Sequence, residues 1–270
     1  MQHALLGCLL ASVGCGIIGT YVVVKRIGFM AGGIAHSVLA GMGIAYFIGA
    51  SPLVGAMISA LIAGVLIGWI NLRWRQHEDI LIAAFWSVGM AIGVIFISMT
   101  EGYNIDLMSY LFGNILLVTA RDLYLMLILD FIILVLVLLF YRQFLATAFD
   151  EEFSRLRGIN VEFYYILLLC MVALTVVLLI QVVGLILVLA LLILPAASAA
   201  QFVSSIRRMM LLSVIFSVLI TTTGLVISYE PDLPSGSTII ILAGMFYILA
   251  IITQGMIRKF RNTWSEPNSK

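Results

Sequence analysis

Ala4 to Val24 reads ALLGCLLASVGCGIIGTYVVV, twenty-one residues without a charge, closed by Lys25-Arg26. A helix of that length rises about 30 Å, the hydrocarbon thickness of a bilayer. No basic segment precedes the run and no small-residue cleavage pattern follows it. It therefore reads as a retained first membrane helix and not as a secretory leader. Comparable runs recur near 28–49, 52–71, 80–99, 122–141, 162–180, 183–204, 209–228 and 236–256. The expectation is an all-α, polytopic membrane bundle of about nine transmembrane helices. Residues 1–270 form a single transmembrane domain, because no polar stretch is long enough to build a second core. Composition agrees: 63% of the chain is apolar and 10% charged, against about 45–50% and about 25% in soluble domains. The lipid bilayer is the surrounding this composition demands, and a net charge of +1 marks no nucleic-acid partner. Between the fourth and fifth runs, Leu107 to Val118 is apolar but short and interrupted at Gly113-Asn114. It is expected to lie in the interface or to re-enter while packed against other helices.

Charges orient the bundle. With nine spans, Lys25, Arg26, Arg73, Arg75, Arg142, Arg155, Arg157, Arg207, Arg208, Arg258, Lys259, Arg261 and Lys270 all fall on one face, and only Arg121 falls on the other. An excess of basic residues marks the cytoplasmic side. The N-terminus is therefore expected outside and the C-terminus in the cytoplasm. The outer face carries Glu101, Asp106, Asp122, Glu230 and Asp232, either as a negative mouth that concentrates cations or as ordinary loop acids. Among the 23 glycines, Gly28/Gly32, Gly64/Gly68 and Gly89/Gly93 form small-xxx-small pairs suited to close helix contact. Cys8, Cys15 and Cys170 lie inside apolar runs without metal spacing and read as buried free thiols.

The longest connection on the basic side is RQFLATAFDEEFSRLRGINVE, from Arg142 to Glu162. A short amphipathic helix is expected near 147–158. Thr147 is the expected N-cap, with Asp150, Glu151 and Glu152 at the positive end of the dipole. Arg155 and Arg157 suit the negative end, and Gly158 suits a left-handed C-cap. Phe149, Phe153 and Leu156 then share one face. That face either covers the lipid interface or its own helix ends, or docks into a groove on a cytoplasmic partner.

Five stretches in order resemble one family over nearly the whole chain. They are RIGFMAGGIAHSVLAGMGIAYFIG (26–49), DLMSYLFGNILLVTARDL (106–123), AFDEEFSRLRGINV (148–161), LLILPAASA (191–199) and DLPSGSTIIIL (232–242). The chain resembles the permease subunits of bacterial and archaeal zinc- and manganese-uptake ABC transporters. The resemblance implies a homodimeric permease in the prokaryotic cytoplasmic membrane. It also implies a cytoplasmic ATP-binding subunit on the loops and an extracytoplasmic metal-binding protein at the outer face. The chain has no GxxxxGK[ST] phosphate loop, so ATP is expected on the partner, and the polypeptide is not expected to be an enzyme. No resident cofactor is expected; the metal is cargo. Many relatives place an acid where this chain has Gly33 and an Asp where it has Asn114. Losing two hard oxygen donors, with an imidazole retained, favours Zn2+ over Mn2+.

His36, with Ser37, is the leading metal-path residue, set among small neighbours in the second helix. It serves either as a transient imidazole ligand or as a structural histidine bonded to a neighbouring helix. Asp130 is an acid within a span. An ionised carboxylate there costs at least about 2.5–3.5 kcal/mol, so it should face the interior, on the path or paired with Arg121 or Arg142. Asn114 completes the expected path. Glu101, Asp106, Glu230 and Asp232 are the expected outer contacts for metal or binding protein. Phe149, Asp150, Glu151, Glu152, Phe153, Arg155, Leu156, Arg157 and Gly158 form the expected ATPase-coupling element, and Pro195 is a hinge or a static kink. An ion-coupled secondary transporter or channel for a cation is the rival reading, but it calls for more intramembrane ionisable groups than His36 and Asp130.

Overall fold

The computed structural model describes residues 1–73, 78–100, 115, 118–185, 188–229 and 233–265. Its helices are α1 (Gln2–Lys25), α2 (Gly28–Phe47), α3 (Pro52–Arg73), α4 (Glu78–Ser98), α5 (Ala120–Leu139) and α6 (Tyr141–Phe149). They continue with α7 (Glu151–Leu156), α8 (Val161–Val183), α9 (Val188–Phe202), α10 (Ile206–Tyr229) and α11 (Ser235–Ser265). Among the described residues, eight helices are long and apolar enough to cross a membrane: α1 to α5, α8, α10 and α11. The chain is a polytopic helical membrane protein.

The seventh expected span differs. A single helix over 183–204 does not form, because Gly184 (φ 77) ends α8 and its N–H closes on Ile180 O. The chain restarts at Val188, leaving α9 with 15 residues and a rise of about 22 Å, short of the hydrocarbon thickness. Pro195 lies buried inside α9. The segment expected to re-enter near 107–118 falls mostly outside the described residues. Of its end, Ile115 and Val118 are buried and pack beside Gly7 of α1. Thr119 and Asp122 then form a reciprocal capping box that starts α5.

Outward faces are apolar: Ile58, Phe131, Leu138, Leu211 and Ile241 stand exposed, while Ser12, Thr20, Thr175, Ser198 and Thr221 are fully buried. Large exposed apolar area is what lipid stabilises and water does not. The hydroxyls of Ser12, Thr20, Thr175, Ser198 and Thr221 each donate to a carbonyl one turn back, while those of Tyr21, Ser213 and Ser217 are buried without a hydrogen-bond partner. Ser12 and Thr221 meet at 3.1 Å across the α1–α10 seam, the kind of polar contact that joins helices in lipid. The free thiols of Cys8 and Cys15 are buried, and Cys8 Sγ donates to Thr221 O.

α2 lies between α3 and α4, and α9, α10 and α11 pack together at the opposite side. α1 and α8 join the two groups. All three glycine pairs meet another helix: Gly28 and Gly32 meet α9, Gly64 and Gly68 meet α8, and Gly89 and Gly93 meet α2. At Gly93 an added Cβ would stand 2.6 Å from Leu39 C and 2.7 Å from Leu39 Cγ. Gly93→Leu should therefore cost about 1–3 kcal/mol by overpacking, read as a lower unfolding temperature in detergent. Gly244→Leu, where nothing lies within 4 Å, is the control that should leave it unchanged.

Candidate functional site

His36 sits on α2 in the seam facing α4. Its ring stacks on Trp86 with centroids 4.0 Å apart and planes 9° off parallel. The side chain is buried, and Nδ1 has no hydrogen-bond partner. Trp86 is itself fixed, donating Nε1–H to Met90 Sδ at 3.2 Å. Stacking sets the plane of the imidazole and leaves a lone nitrogen unused, the state from which it can accept a cation. Beside it, Ser37 donates to Gly33 O at 2.6 Å, so its hydroxyl is engaged by its own helix.

Gly33 faces the aliphatic side chains of two neighbouring helices. A Cβ at Gly33 would lie 2.6 Å from Ile82 Cγ2 and 3.2 Å from Ile67 Cδ1. Aliphatic side chains of α4 and α3 occupy the space an acid would need, so the surroundings of His36 are those of a nitrogen donor without an oxygen anion from that position.

Asp130 does not join His36. It points from α5 into the seam with α1 and α8: a Cβ built on Gly14 would stand 2.9 Å from Asp130 Oδ1 and 3.5 Å from Thr175 Cγ2. The expected pairing with Arg121 or Arg142 is not formed; both carboxyl oxygens are buried without a hydrogen-bond partner. Their positions explain this, since Arg121 stands at the start of α5 and Arg142 beyond its end in α6, while Asp130 lies at the middle of α5. Among the described residues no group of three or more His, Cys, Asp or Glu side chains is placed to hold a metal. Asn114, Glu101, Asp106, Glu230 and Asp232 lie outside the described residues.

A cavity of about 590 Å³ opens between α2, α3 and α4, lined by Ala40, Gly41, Ile44, Val54, Ile58 and Val88 among others. Its polar side chains are Ser37 and Ser59, and both hydroxyls are spent on backbone carbonyls. Such a wall offers nothing to replace the water around an ion, and His36 is not part of it.

The loop element is two helices, not one. Thr147 is no N-cap: it lies buried inside α6, where its hydroxyl donates to Gln143 O and Phe144 O. Asp150 takes that place, adopting extended backbone (φ −147) and accepting from Phe153 N–H at 2.8 Å. Three-residue spacing explains the change, because Asp150 reaches its own N3 position and breaks the helix there. Gly158 (φ 75) takes the left-handed position expected. Its N–H bonds to Arg155 O while Ile159 N–H bonds to Ser154 O, the doubled closure of a Schellman motif. Phe149, Phe153 and Leu156 are 68%, 48% and 87% exposed, an exposed apolar trio. Asp150, Glu152, Arg155, Arg157 and Gly158 are exposed around it, and Arg157 lies 4.8 Å over the Phe153 ring. Glu151 instead turns inward to Lys25. The base is held by rings: Phe144 packs on Tyr21 (5.6 Å) and Tyr164 (5.9 Å), and Phe140 on Tyr164 (5.5 Å). Lys25 meets this loop, and Arg207 stands 4.8 Å over Tyr141, so residues 25, 141–157 and 207 share one end of the bundle. Gly7, beside Ile115, Val118 and Leu123, marks the other.

The model of the ABC 3 transport family matches residues 1–254. The chain belongs to the ABC 3 transport family. Among the relatives of this ABC 3 permease is a "probable metal transport system membrane protein" of Chlamydia pneumoniae, 43% identical, covering 91% of this chain and 86% of the relative. The manganese transport system membrane protein MntC of Halalkalibacterium halodurans is 33% identical, with 96% and 90% covered. The solved structure of PsaBC from Streptococcus pneumoniae in complex with Fab is also similar, at 32% identity. It covers 92% of this chain and 90% of that one, with a TM-score of 0.84. As the membrane subunit of an ABC transporter, the ABC 3 permease is a transport component of the prokaryotic cytoplasmic membrane and not an enzyme; ATP is hydrolysed on a separate subunit.

Sequence reading missed three residues of this ABC 3 permease that the fold makes important. Trp86 orients His36, Ile82 fills the space beside Gly33, and Lys25 grips the loop. Trp86 alone carried a signal, being a tryptophan inside a span and not at the interface where that residue concentrates.

Proposed function

We propose that this chain is the permease of an ATP-driven importer of a divalent transition-metal ion. The observation that carries the proposal is family membership over nearly the full chain, with relatives whose names specify metal and manganese transport. In this reading the exposed trio Phe149, Phe153 and Leu156, ringed by Asp150, Glu152, Arg155 and Arg157, docks the ATP-binding subunit. With the short α9 counted as a ninth crossing, the thirteen basic residues face the cytoplasm, with the N-terminus outside and the C-terminus inside. The chain acts as a homodimer, and an extracytoplasmic metal-binding protein delivers the ion to the acidic outer loops at Glu101, Asp106, Glu230 and Asp232. His36 is the ligand on the path, near Ser37 and downstream of Asn114. Asp130 is an acid of the membrane interior in a separate seam, and Pro195 is a hinge of α9. A single imidazole binds weakly enough to release the ion, where a closed four-ligand site would trap it.

For the ion, two readings have specific support. Imidazole without an acid at position 33 suits Zn2+, which takes nitrogen ligands readily, and we favour it. The names of the MntC relatives support Mn2+. ATP-dependent uptake of each ion into proteoliposomes holding the chain, its ATPase and its binding protein decides between them. Zinc uptake that needs ATP is the expected result. Manganese uptake alone keeps the importer and overturns the zinc preference, and uptake of neither by a complex that hydrolyses ATP overturns the metal reading.

A further inference from the structure

Lys25 ends α1 with its ammonium at a junction of four helices. Nζ donates to Thr147 O at 3.0 Å and to Glu151 Oε1 at 3.0 Å, and lies 5.1 Å from the centroid of the Tyr165 ring. Thr147 belongs to α6, Glu151 opens α7, and Tyr165 is in the first turn and a half of α8. The Tyr165 hydroxyl in turn meets Met30 Sδ at 2.9 Å, in the first turn of α2. One side chain therefore ties the end of α1 to both halves of the docking loop and, through one further ring, to the start of the helix that carries His36.

Two features make this junction more than a surface ion pair, whose worth is about 0–1 kcal/mol. The Lys25 side chain is only 9% exposed, so a carbonyl, a carboxylate and a ring replace the water it has lost. Glu151 is more open, its side chain 36% exposed, so losing it leaves the largely buried Lys25 ammonium without its carboxylate. The turn that follows is also tight. Arg26 adopts left-handed backbone (φ 58), with Arg26 N–H bonded to Val23 O and Ile27 N–H to Val22 O. Only Arg26 and Ile27 separate α1 from α2, so a shift of Lys25 is passed to α2 with little slack.

We propose that Lys25 is a positioning residue that transmits movement of the docking loop to the α1–α2 hairpin, and so to His36. The proposal rests on the reading that the loop docks the ATPase. Within it, Glu151 is an internal partner of Lys25 and not part of the docking surface, which is left to Phe149, Phe153 and Leu156.

The test reconstitutes the permease with its ATPase and binding protein, and measures co-purification and metal transported per ATP hydrolysed. The variants are Lys25→Met, Glu151→Gln, their double and Lys25→Arg. The ATPase should co-purify with every variant. Transport per ATP should fall roughly tenfold in Lys25→Met, within the range that couples two sites. Glu151→Gln should lower it as well, the double should be no worse than Lys25→Met, and Lys25→Arg should retain most of the ratio. Wild-type ratios in both single variants overturn the proposal. Loss of the ATPase from Lys25→Met and Glu151→Gln also overturns it, since Lys25 would then only hold the docking surface in shape. Failure of the wild-type chain to bind the ATPase is a different result, which removes the docking reading and this proposal with it.

Discussion

His36→Ala should lower ATP-dependent metal uptake by at least about a hundredfold, beyond the roughly 10–100-fold of losing a group that only supports a metal ligand. The complex should meanwhile assemble normally. The magnitudes separate a transport defect from a folding defect. Removing the ring gives up its stack on Trp86, worth about 0.5–1.5 kcal/mol beyond the area it buries, and leaves a cavity at a buried position. The loss of about 2–5 kcal/mol stays below a stability margin of about 5–15 kcal/mol in a folded domain, so the chain stays folded with a lower unfolding temperature in detergent. His36→Gln, which keeps polarity and loses the imidazole, should be nearly as defective. Uptake at wild-type rates by His36→Ala would leave the ring a packing partner of Trp86 and remove it from the path.

Phe153→Asp should weaken docking of the ATP-binding subunit by at least about 2 kcal/mol, roughly thirtyfold. The ring is about half exposed at the start of α7, flanked by Phe149 and Leu156, which are more exposed still. Its backbone N–H, not its ring, makes the cap bond to Asp150, so the substitution removes an apolar anchor and leaves the helix start intact. Phe153→Leu keeps an apolar anchor and should dock nearly as the parent does. A titration of immobilised permease with the ATPase subunit reads the difference. Equal affinity for Phe153→Asp and the parent would return the trio to the lipid interface.

The membrane architecture was legible in the sequence because it rests on a rule each segment obeys alone. Backbone polar groups in lipid are satisfied only within a helix or a closed barrel, so an uninterrupted apolar run such as Ala4 to Val24 has one outcome. The glycine pairs were legible for a similar reason, since a missing side chain at i and i+4 opens the same helix face whatever approaches it. Gly158 could be placed from its left-handed preference alone. The errors fell where two local rules competed. Thr147 and Asp150 are both good caps, and Asp150 prevailed because Thr147 was already committed to α6 by the packing of Phe144 between Tyr21 and Tyr164. Over 183–204 an apolar run outweighed Gly184 in the reading, but in the fold the glycine ended the helix.

The sequence by itself determined that this chain is a helical membrane protein of its family, and that His36 is an imidazole within a span. Those properties follow from composition, from runs along one helix, and from motifs in order. Only the tertiary structure decided that His36 lies flat on Trp86, that Ile82 closes the space at Gly33, that Asp130 stands in a different seam, and that Lys25 holds Glu151. Each of these joins residues from different helices. Which faces meet is set by the depth and rotation at which whole helices pack, and no local pattern in the chain encodes that.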